Sequence, residues 1–198
     1  MKTYTINEIF YSLQGEGVRV GTPNIFIRFS GCNETCAIET HGFDCDTEFV
    51  SGRKLALDEI LVELAACGQG CKAVILTGGE PSLQVDAELV SALKSAGYFL
   101  AVETNGSKEL PAGIDWICVS PKSAEHTLRQ LTANEVKYVR AYGQGIPKSS
   151  VQADYKLISP AFQGTTLDPK TLAWCIKLVE ENPQWRLSVQ QHKFWRIR

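Results

Sequence analysis

Three cysteines share one short stretch, IFIRFSGCNETCAIETHGFDCDT at residues 25–47: Cys32, Cys36 and Cys45. They follow directly on an apolar, alternating run of β-branched and aromatic residues, which places them in a loop at the end of a strand. That is where α/β folds put their chemistry. Three thiolates in one loop can hold a tetrahedral zinc ion that takes a fourth ligand, or an iron–sulfur cluster whose fourth iron stays open to a substrate or cofactor. Zinc sites usually arrive as two C-x2-4-C pairs or as a Cys pair with a His pair, whereas the spacing here is C-x3-C-x8-C. His41, inside the loop, could complete a Cys3His zinc site, and unligated thiols are the plain alternative.

Other polar turns follow apolar runs further along the chain. SLQGEG at residues 12–17 carries two glycines, which suit a tight turn or a close approach of backbone to a ligand. AVIL at 73–76 opens into Thr77-Gly78-Gly79-Glu80-Pro81. Glycine backbone there can lie against an amino-acid ligand while Glu80 accepts from its ammonium group, or the turn can simply start a helix. Residues 99–102 open into Glu103-Thr104-Asn105-Gly106, a carboxylate and an amide able to grip a ribose or purine, or a plain turn. Residues 114–119 open into Ser120-Pro121-Lys122, a hydroxyl and a cation, or a solvated corner, and residues 155–158 end at Ser159-Pro160. No turn decides a chemistry singly, but a shared position at strand ends raises them together.

The elements that must position these turns follow from the hydrophobic periods. Leu57, Ile60, Leu61 and Leu64 fall on one face of a helix over 54–67, ended by Gly68, and Leu83, Leu89, Val90 and Leu93 on another, ended by Gly97. Asp168-Pro169 is a cap followed by a first-turn proline, for a helix carrying Leu172, Ile176 and Val179. Further strands fall at 136–139 and 186–189. Strands that each end in a small, polar or Gly-rich turn and are separated by helices describe a parallel sheet with its functional loops at one edge. About six such units fit, too few for a closed eight-stranded barrel of ~250 residues. The expectation is an α/β fold, a partial (open) βα barrel of about six parallel strands, in one domain over residues 1–198.

Twenty basic and 22 acidic side chains leave a net charge of -2, which argues against binding to a nucleic-acid backbone. No apolar run approaches the ~20 residues that span a bilayer, so no membrane role is expected. Seven cysteines in a chain that begins MKTYTINEIFYS, with no secretory leader, point to a reducing compartment, with the cytoplasm as the simplest assignment. Cys67 and Cys71 bracket the end of a helix and the start of a strand, and with Cys118 and Cys175 they read as small core hydrophobes. His126 has nothing in sequence to mark it, whereas His192 follows the last strand.

The cysteine triad followed by Gly78-Gly79-Glu80-Pro81 resembles the radical S-adenosylmethionine superfamily. SLQGEG, Arg28 in FIRFSGC, Cys45-Asp46-Thr47, Glu103-Thr104-Asn105-Gly106, Ser120-Pro121-Lys122 and LSVQQHK at 187–193 narrow the resemblance to the 7-carboxy-7-deazaguanine synthase family, in that family's order. Three departures stand out. The superfamily usually reads C-x3-C-x2-C with an aromatic residue just before the last cysteine; here residues 37–44 lengthen the gap and Phe43 sits one place further back. Gln191 replaces the threonine of the usual closing QTHK.

The resemblance implies a lyase on the route to queuosine and other 7-deazapurines. Its substrate would be 6-carboxy-5,6,7,8-tetrahydropterin and its product 7-carboxy-7-deazaguanine, with loss of ammonia. Cys32, Cys36 and Cys45 would hold a 4Fe-4S cluster. Asp44, Asp46, Gly79, Glu103, Ser120, Pro121, Lys122, Ser159 and Pro160 would contact S-adenosylmethionine. Leu13, Gln14, Gly15, Arg28, Thr77, His192 and Arg198 would contact the pterin, the last through its carboxylate, and Thr47 would give an oxygen to Mg2+. A homodimer and a reductant such as flavodoxin are also implied. A radical-activating enzyme acting on a glycyl partner protein shares the cluster and the GGEP-like turn but has no need for SLQGEG or the HK-bearing terminus. A zinc-stabilised binding module shares only the cysteines.

Alanine at Cys32, Cys36 or Cys45 should abolish bound iron and the brown colour of anaerobically purified protein, while Cys67→Ala and Cys71→Ala keep both; an iron count that falls in either of the latter would break the assignment.

Overall fold

The computed structural model describes residues 2–45 and 47–198. In chain order come β1 (Thr3–Leu13), β2 (Pro23–Phe29), α1 (Ile38–His41), β3 (Arg53–Ala56), α2 (Leu57–Cys67), β4 (Ala73–Gly78) and α3 (Ala87–Ser95). Then follow β5 (Phe99–Thr104), β6 (Trp116–Val119), β7 (Thr132–Arg140) and β8 (Gln152–Pro160). A small ribbon of β9 (Phe162–Gln163) and β10 (Thr166–Leu167) precedes α4 (Pro169–Glu180), β11 (Trp185–Leu187) and α5 (Gln191–Trp195).

Nine strands make one sheet, in the order β11-β8-β7-β6-β5-β4-β2-β1-β3. From β2 across to β11 every pairing is parallel. β1 runs antiparallel to both β2 and β3. The expected six parallel strands are therefore corrected to a nine-stranded, mostly parallel mixed sheet. Two local readings caused the shortfall. The run before SLQGEG is an 11-residue strand that extends the sheet past β2. Residues 54–56, taken as the opening of a helix, lie instead in β3, which pairs with residues 3–6 and buries Leu55 and Ala56. The helix itself starts at Leu57, where Glu59 reaches back to accept from the Ala56 N–H at 2.7 Å. Leu83 likewise lies outside its expected helix, in a single 3-10 turn (Pro81–Leu83), and α3 begins behind Asp86, whose carboxylate accepts from the Leu89 N–H at 2.9 Å.

Alternate residues along the strands face opposite ways. Ile25, Ile27, Phe29, Val74, Leu76, Leu100 and Val102 face α2 and α3 and form the main core with Ile60, Leu64, Leu89 and Leu93. A second core joins Val136, Tyr138 and Ile158 to Cys175 of α4 and to Trp185. Side chains of this size contribute about 1.5–3 kcal/mol each when fully buried. Cys118 and Cys175 are buried as expected, and Cys67 and Cys71 are half-buried against the main core. Among the described residues no helix is long and apolar enough to cross a membrane. The opposite face of the same strands carries Arg28, Thr77, Glu103 and Lys137, residues that water or a ligand must meet.

α4 starts as its sequence demands, with Pro169 in the first turn and the Asp168 carboxylate accepting from the Thr171 N–H at 3.0 Å and its hydroxyl at 2.9 Å. Asp168→Ala should lower the midpoint of a urea titration, and an unchanged midpoint would show that the cap is idle.

Candidate active site

Opposite the helices, at the C-terminal ends of the parallel strands, lies a cavity of about 1140 Å³. Nearly all the residues singled out by motif converge on it from separate elements. Cys32, Cys36, Asp44, Cys45 and Thr47 come from the loop after β2, and Thr77 and Gly79 from the end of β4. Glu103, Ser120, Lys122, Ser159 and Pro160 come from the ends of β5, β6 and β8. Leu13, Gln14 and Gly15 enter from the end of β1, Arg28 from β2, and His192 and Arg198 from the last segment. Pro121 does not line the cavity; it turns the chain so that Ser120 and Lys122 can, with the Lys122 ammonium donating to the Ser120 hydroxyl at 2.8 Å. Asp46 lies outside the described residues.

The loop after β2 is shaped for the thiols it carries. Residues 37–44, the lengthened gap, contain the four-residue helix α1, closed by Gly42 in the left-handed conformation at φ 82°. The Asp44 carboxylate supports that helix by accepting from the Ile38 N–H at 3.0 Å through one of its oxygens. The Gln144 amide donates to the His41 carbonyl at 3.0 Å and fastens the loop to the far side of the sheet. His41 does not line the cavity that holds the three thiols; its Nδ1 meets the Thr40 hydroxyl at 2.6 Å and the Ala37 N–H at 3.3 Å within its own loop. Phe43 does line it, with the Lys122 ammonium 5.4 Å from its ring centre.

All three thiols are free and face the same space. Among the described residues no three His, Cys, Asp or Glu side chains close around a single ion. That donor set suits a cluster, whose thiolates bind separate irons, better than one tetrahedral cation. Burial pushes the Cys32 thiol up despite the Glu34 N–H donating to it at 3.4 Å, and burial likewise raises Cys36 against the pull of Lys122.

The turn after β4 supports this loop from below. Gly78 sits at φ 124°, and a side chain there would strike the Phe29 backbone. At Gly79 a Cβ would strike the Gly31 carbonyl and crowd the Cys32 Cβ at 3.1 Å. Only glycine permits that approach. The Gly79 N–H donates to the Phe29 carbonyl at 3.1 Å and the Glu80 N–H to the Gly31 carbonyl at 2.9 Å. Glu80 does not reach out to a ligand's ammonium group. It is buried, and its carboxylate accepts from the Ser82 N–H at 2.9 Å, the Thr104 hydroxyl at 2.6 Å and the Asn105 N–H at 2.7 Å. Asn105 then donates to the Asn33 side chain at 3.0 Å, so the loops after β2, β4 and β5 form one bonded unit.

At the other end of the cavity, Arg28 donates through Nε to Glu8 at 2.9 Å and lies against the ring of Phe10, which stacks on Phe26 at 4.9 Å. Both Nη groups of Arg28 remain for an anion in the cavity. Arg198 reaches the other Glu8 oxygen at 3.3 Å. The last segment packs on the SLQGEG turn: the Gln191 N–H donates to the Gly15 carbonyl at 2.8 Å, and any side chain at Gly15 would run into the His192 ring. Ser12 donates to the Arg198 carbonyl oxygen at 2.9 Å. Phe194 meets the Phe162 ring edge-on at 6.0 Å while Trp195 and Ile197 stay partly exposed, so aromatic and polar contacts together hold this segment.

The comparisons with known proteins agree with that geometry. No protein-family model matches the chain. The 7-carboxy-7-deazaguanine synthase of Bacteroides thetaiotaomicron is 42% identical over 194 residues, covering 98% of each chain. Those of Burkholderia multivorans and Caulobacter vibrioides are each 39% identical, covering 98% and 97% of this chain and 99% and 98% of theirs. The chain belongs to the 7-carboxy-7-deazaguanine synthase family. A crystal structure of QueE from Escherichia coli shares its fold, with a TM-score of 0.73 over 96% of this chain and 95% of that one, at 24% identity.

Motif reading missed part of what this member of the 7-carboxy-7-deazaguanine synthase family places in its site. Lys137, almost wholly buried, stands between Glu16 at 2.8 Å and Glu103 at 3.1 Å. Gln14 donates to the other Glu103 oxygen at 3.0 Å, and Gln190 to the other Glu16 oxygen at 2.9 Å. Burial alone would raise the Glu16 carboxyl, but Lys137, Gln190 and His192 outweigh it and hold it at about 2. Glu135, buried beside them, accepts from Trp116 at 2.6 Å and from the Val18 N–H at 2.8 Å; burial and Glu103 push its carboxyl up. A signal existed: in NEVKYVR, Glu135, Lys137 and Val139 alternate with apolar residues, which puts both charges on one face of a strand whose other face is core.

Because protein donors claim the Glu80 carboxylate, Glu80→Gln should lower the unfolding free energy by about 1–3 kcal/mol in a denaturant titration. A midpoint equal to that of the parent would overturn the anchoring role.

Proposed function

We infer that the protein converts 6-carboxy-5,6,7,8-tetrahydropterin to 7-carboxy-7-deazaguanine with loss of ammonia, as a radical S-adenosylmethionine lyase of queuosine and 7-deazapurine biosynthesis. The observation that carries this reading is convergence: three free thiols, the glycine-cradled turn after β4, Arg28 and the last segment meet in one cavity of a chain that matches 7-carboxy-7-deazaguanine synthases along nearly its whole length. The sheet, in this reading, is the open βα barrel of the radical S-adenosylmethionine type, in a single domain.

When bound, a reduced 4Fe-4S cluster with S-adenosylmethionine supplies the radical that takes hydrogen from pterin carbon 6. The chain's own part is to bind and to place. Cys32, Cys36 and Cys45 would hold three irons and leave the fourth to S-adenosylmethionine. Gly79 offers backbone at close range, Glu103 an acceptor, Ser120 and Lys122 donors, and Ser159 and Pro160 a wall, with the Asp44 backbone beside Cys45. The free edge of Arg28 suits the pterin carboxylate, to which a guanidinium can give two parallel bonds. Gln14, Thr77 and His192 offer polar groups around the ring system, Leu13 and Gly15 its boundary, and the Arg198 main-chain oxygen an acceptor for the amino-pyrimidinone edge. Thr47, next to the cysteine loop, presents one oxygen to Mg2+, which takes few protein ligands and keeps substrate and water for the rest. A reductant such as flavodoxin, a homodimer and a cytoplasmic setting belong to the same proposal and rest on the family resemblance.

Anaerobic incubation with the carboxytetrahydropterin, S-adenosylmethionine and a reductant should yield the deazaguanine acid without net loss of S-adenosylmethionine. Omitting Mg2+ should slow the parent but not Thr47→Ala. Consumption of S-adenosylmethionine with no deazaguanine product would refute the substrate assignment.

A further inference from the structure

The lysine at the floor of the cavity has no role in the reading so far. Lys137 projects from β7 between two carboxylates that belong to different functions: Glu103 at the end of β5, placed above against S-adenosylmethionine, and Glu16 in the turn that carries Gln14 and Gly15 toward the pterin. Each of the four carboxylate oxygens has one donor, two of them the same ammonium. Gln14 is bonded directly to Glu103 as well as standing two residues from Glu16, so the cofactor end and the substrate end meet here.

We propose that Lys137 is a positioning residue that holds the S-adenosylmethionine-binding Glu103 and the substrate-binding turn at residues 14–16 in one fixed arrangement. The proposal rests on the role given to Glu103 above. Two carboxylates this close cannot both stay ionised and in place without a cation between them. The other charged groups nearby do not replace it. Glu135 adds a third carboxyl, Lys122 is bonded to Ser120, Arg19 is bonded to Asn24, and His192, against Gly15, adds to the pull of Lys137 on the Glu16 carboxylate. Burial would depress the Lys137 ammonium, yet Glu103 and Glu16 more than offset it and hold its proton well above the ordinary lysine range. Its charge is therefore permanent across working pH, as a fixed strut requires.

The test is equilibrium binding of S-adenosylmethionine and, separately, of the carboxytetrahydropterin to the cluster-loaded protein with no reductant present, so that turnover plays no part. Lys137→Met should weaken both ligands by about tenfold or more, whereas Lys137→Arg, which keeps the charge, should stay within about threefold of the parent. The double variant Lys137→Met with Glu16→Gln should recover S-adenosylmethionine binding relative to Lys137→Met alone, because it removes one of the two negative charges that the ammonium had kept from repelling each other. A lysine that merely filled space would give a double variant no better than the single one. The proposal is overturned if Lys137→Met binds both ligands like the parent, if Lys137→Arg is as weak as Lys137→Met, or if the double variant shows no recovery. Should Lys137→Met fail to fold, Lys137→Arg and the double variant must each bind S-adenosylmethionine within about tenfold of the parent, and failure of either overturns it. Parent protein that binds both ligands but forms no deazaguanine acid would count against the assigned reaction and leave the Lys137 result standing.

Discussion

The site depends on one close approach of backbone to backbone. Gly78 and Gly79 press the turn after β4 against residues 29–32, with two main-chain hydrogen bonds across the contact and no space for a Cβ on either glycine. That contact sets the height of the cysteine loop above the sheet. Glu80 then extends the same rigidity sideways, because its buried carboxylate binds donors on the turn after β5. Local backbone geometry thus becomes site geometry without any side chain touching a ligand. A cysteine loop lengthened by residues 37–44 can be accommodated because its anchor lies at the start of the loop, at Gly31, and its extra residues fold against themselves and Gln144.

How much of this was legible in the sequence depends on whether the signal was local. The turns after β4, β5, β6 and β8 were readable, because small and polar residues interrupt apolar runs there and the strand period leaves little freedom in where they point. The start of α4 was readable for a similar reason, since Asp168-Pro169 carries its own capping chemistry. What failed was pairing. Nothing local in Arg53-Lys54-Leu55-Ala56 says that residues 3–6 will lie alongside it, and a helical period just downstream swallowed the segment. The role of Glu80 failed the same way: its partners Thr104 and Asn105 sit on the next strand, and a carboxylate in a Gly-rich turn looks free until those donors are placed. Lys137 needed both insights at once, an alternation in β7 and two carboxylates from elsewhere.

The two ends of the cavity are built by different means. At the cysteine end, backbone and glycine do most of the positioning, which suits an inorganic cluster that brings its own shape. At the other end, charge and aromatic surface dominate: Glu8 joins Arg28 to Arg198, and Phe10 stacks on Phe26 beneath them. An arginine held only by its Nε keeps a fixed plane while its outer edge stays open, so recognition of a planar anion costs little reorganisation.

The joining of Ser12 to Arg198, 186 residues apart in sequence, has a consequence for how the molecule is made. Contacts of such separation are entropically the dearest to form and come late on a folding route. The wall that α5 lends the cavity rests on such contacts, with Gln191 held to Gly15 and Arg198 to Ser12, whereas the approach of Gly78 and Gly79 to residues 29–31 joins segments far nearer in sequence. The two ends of the cavity therefore make unequal entropic demands on the chain.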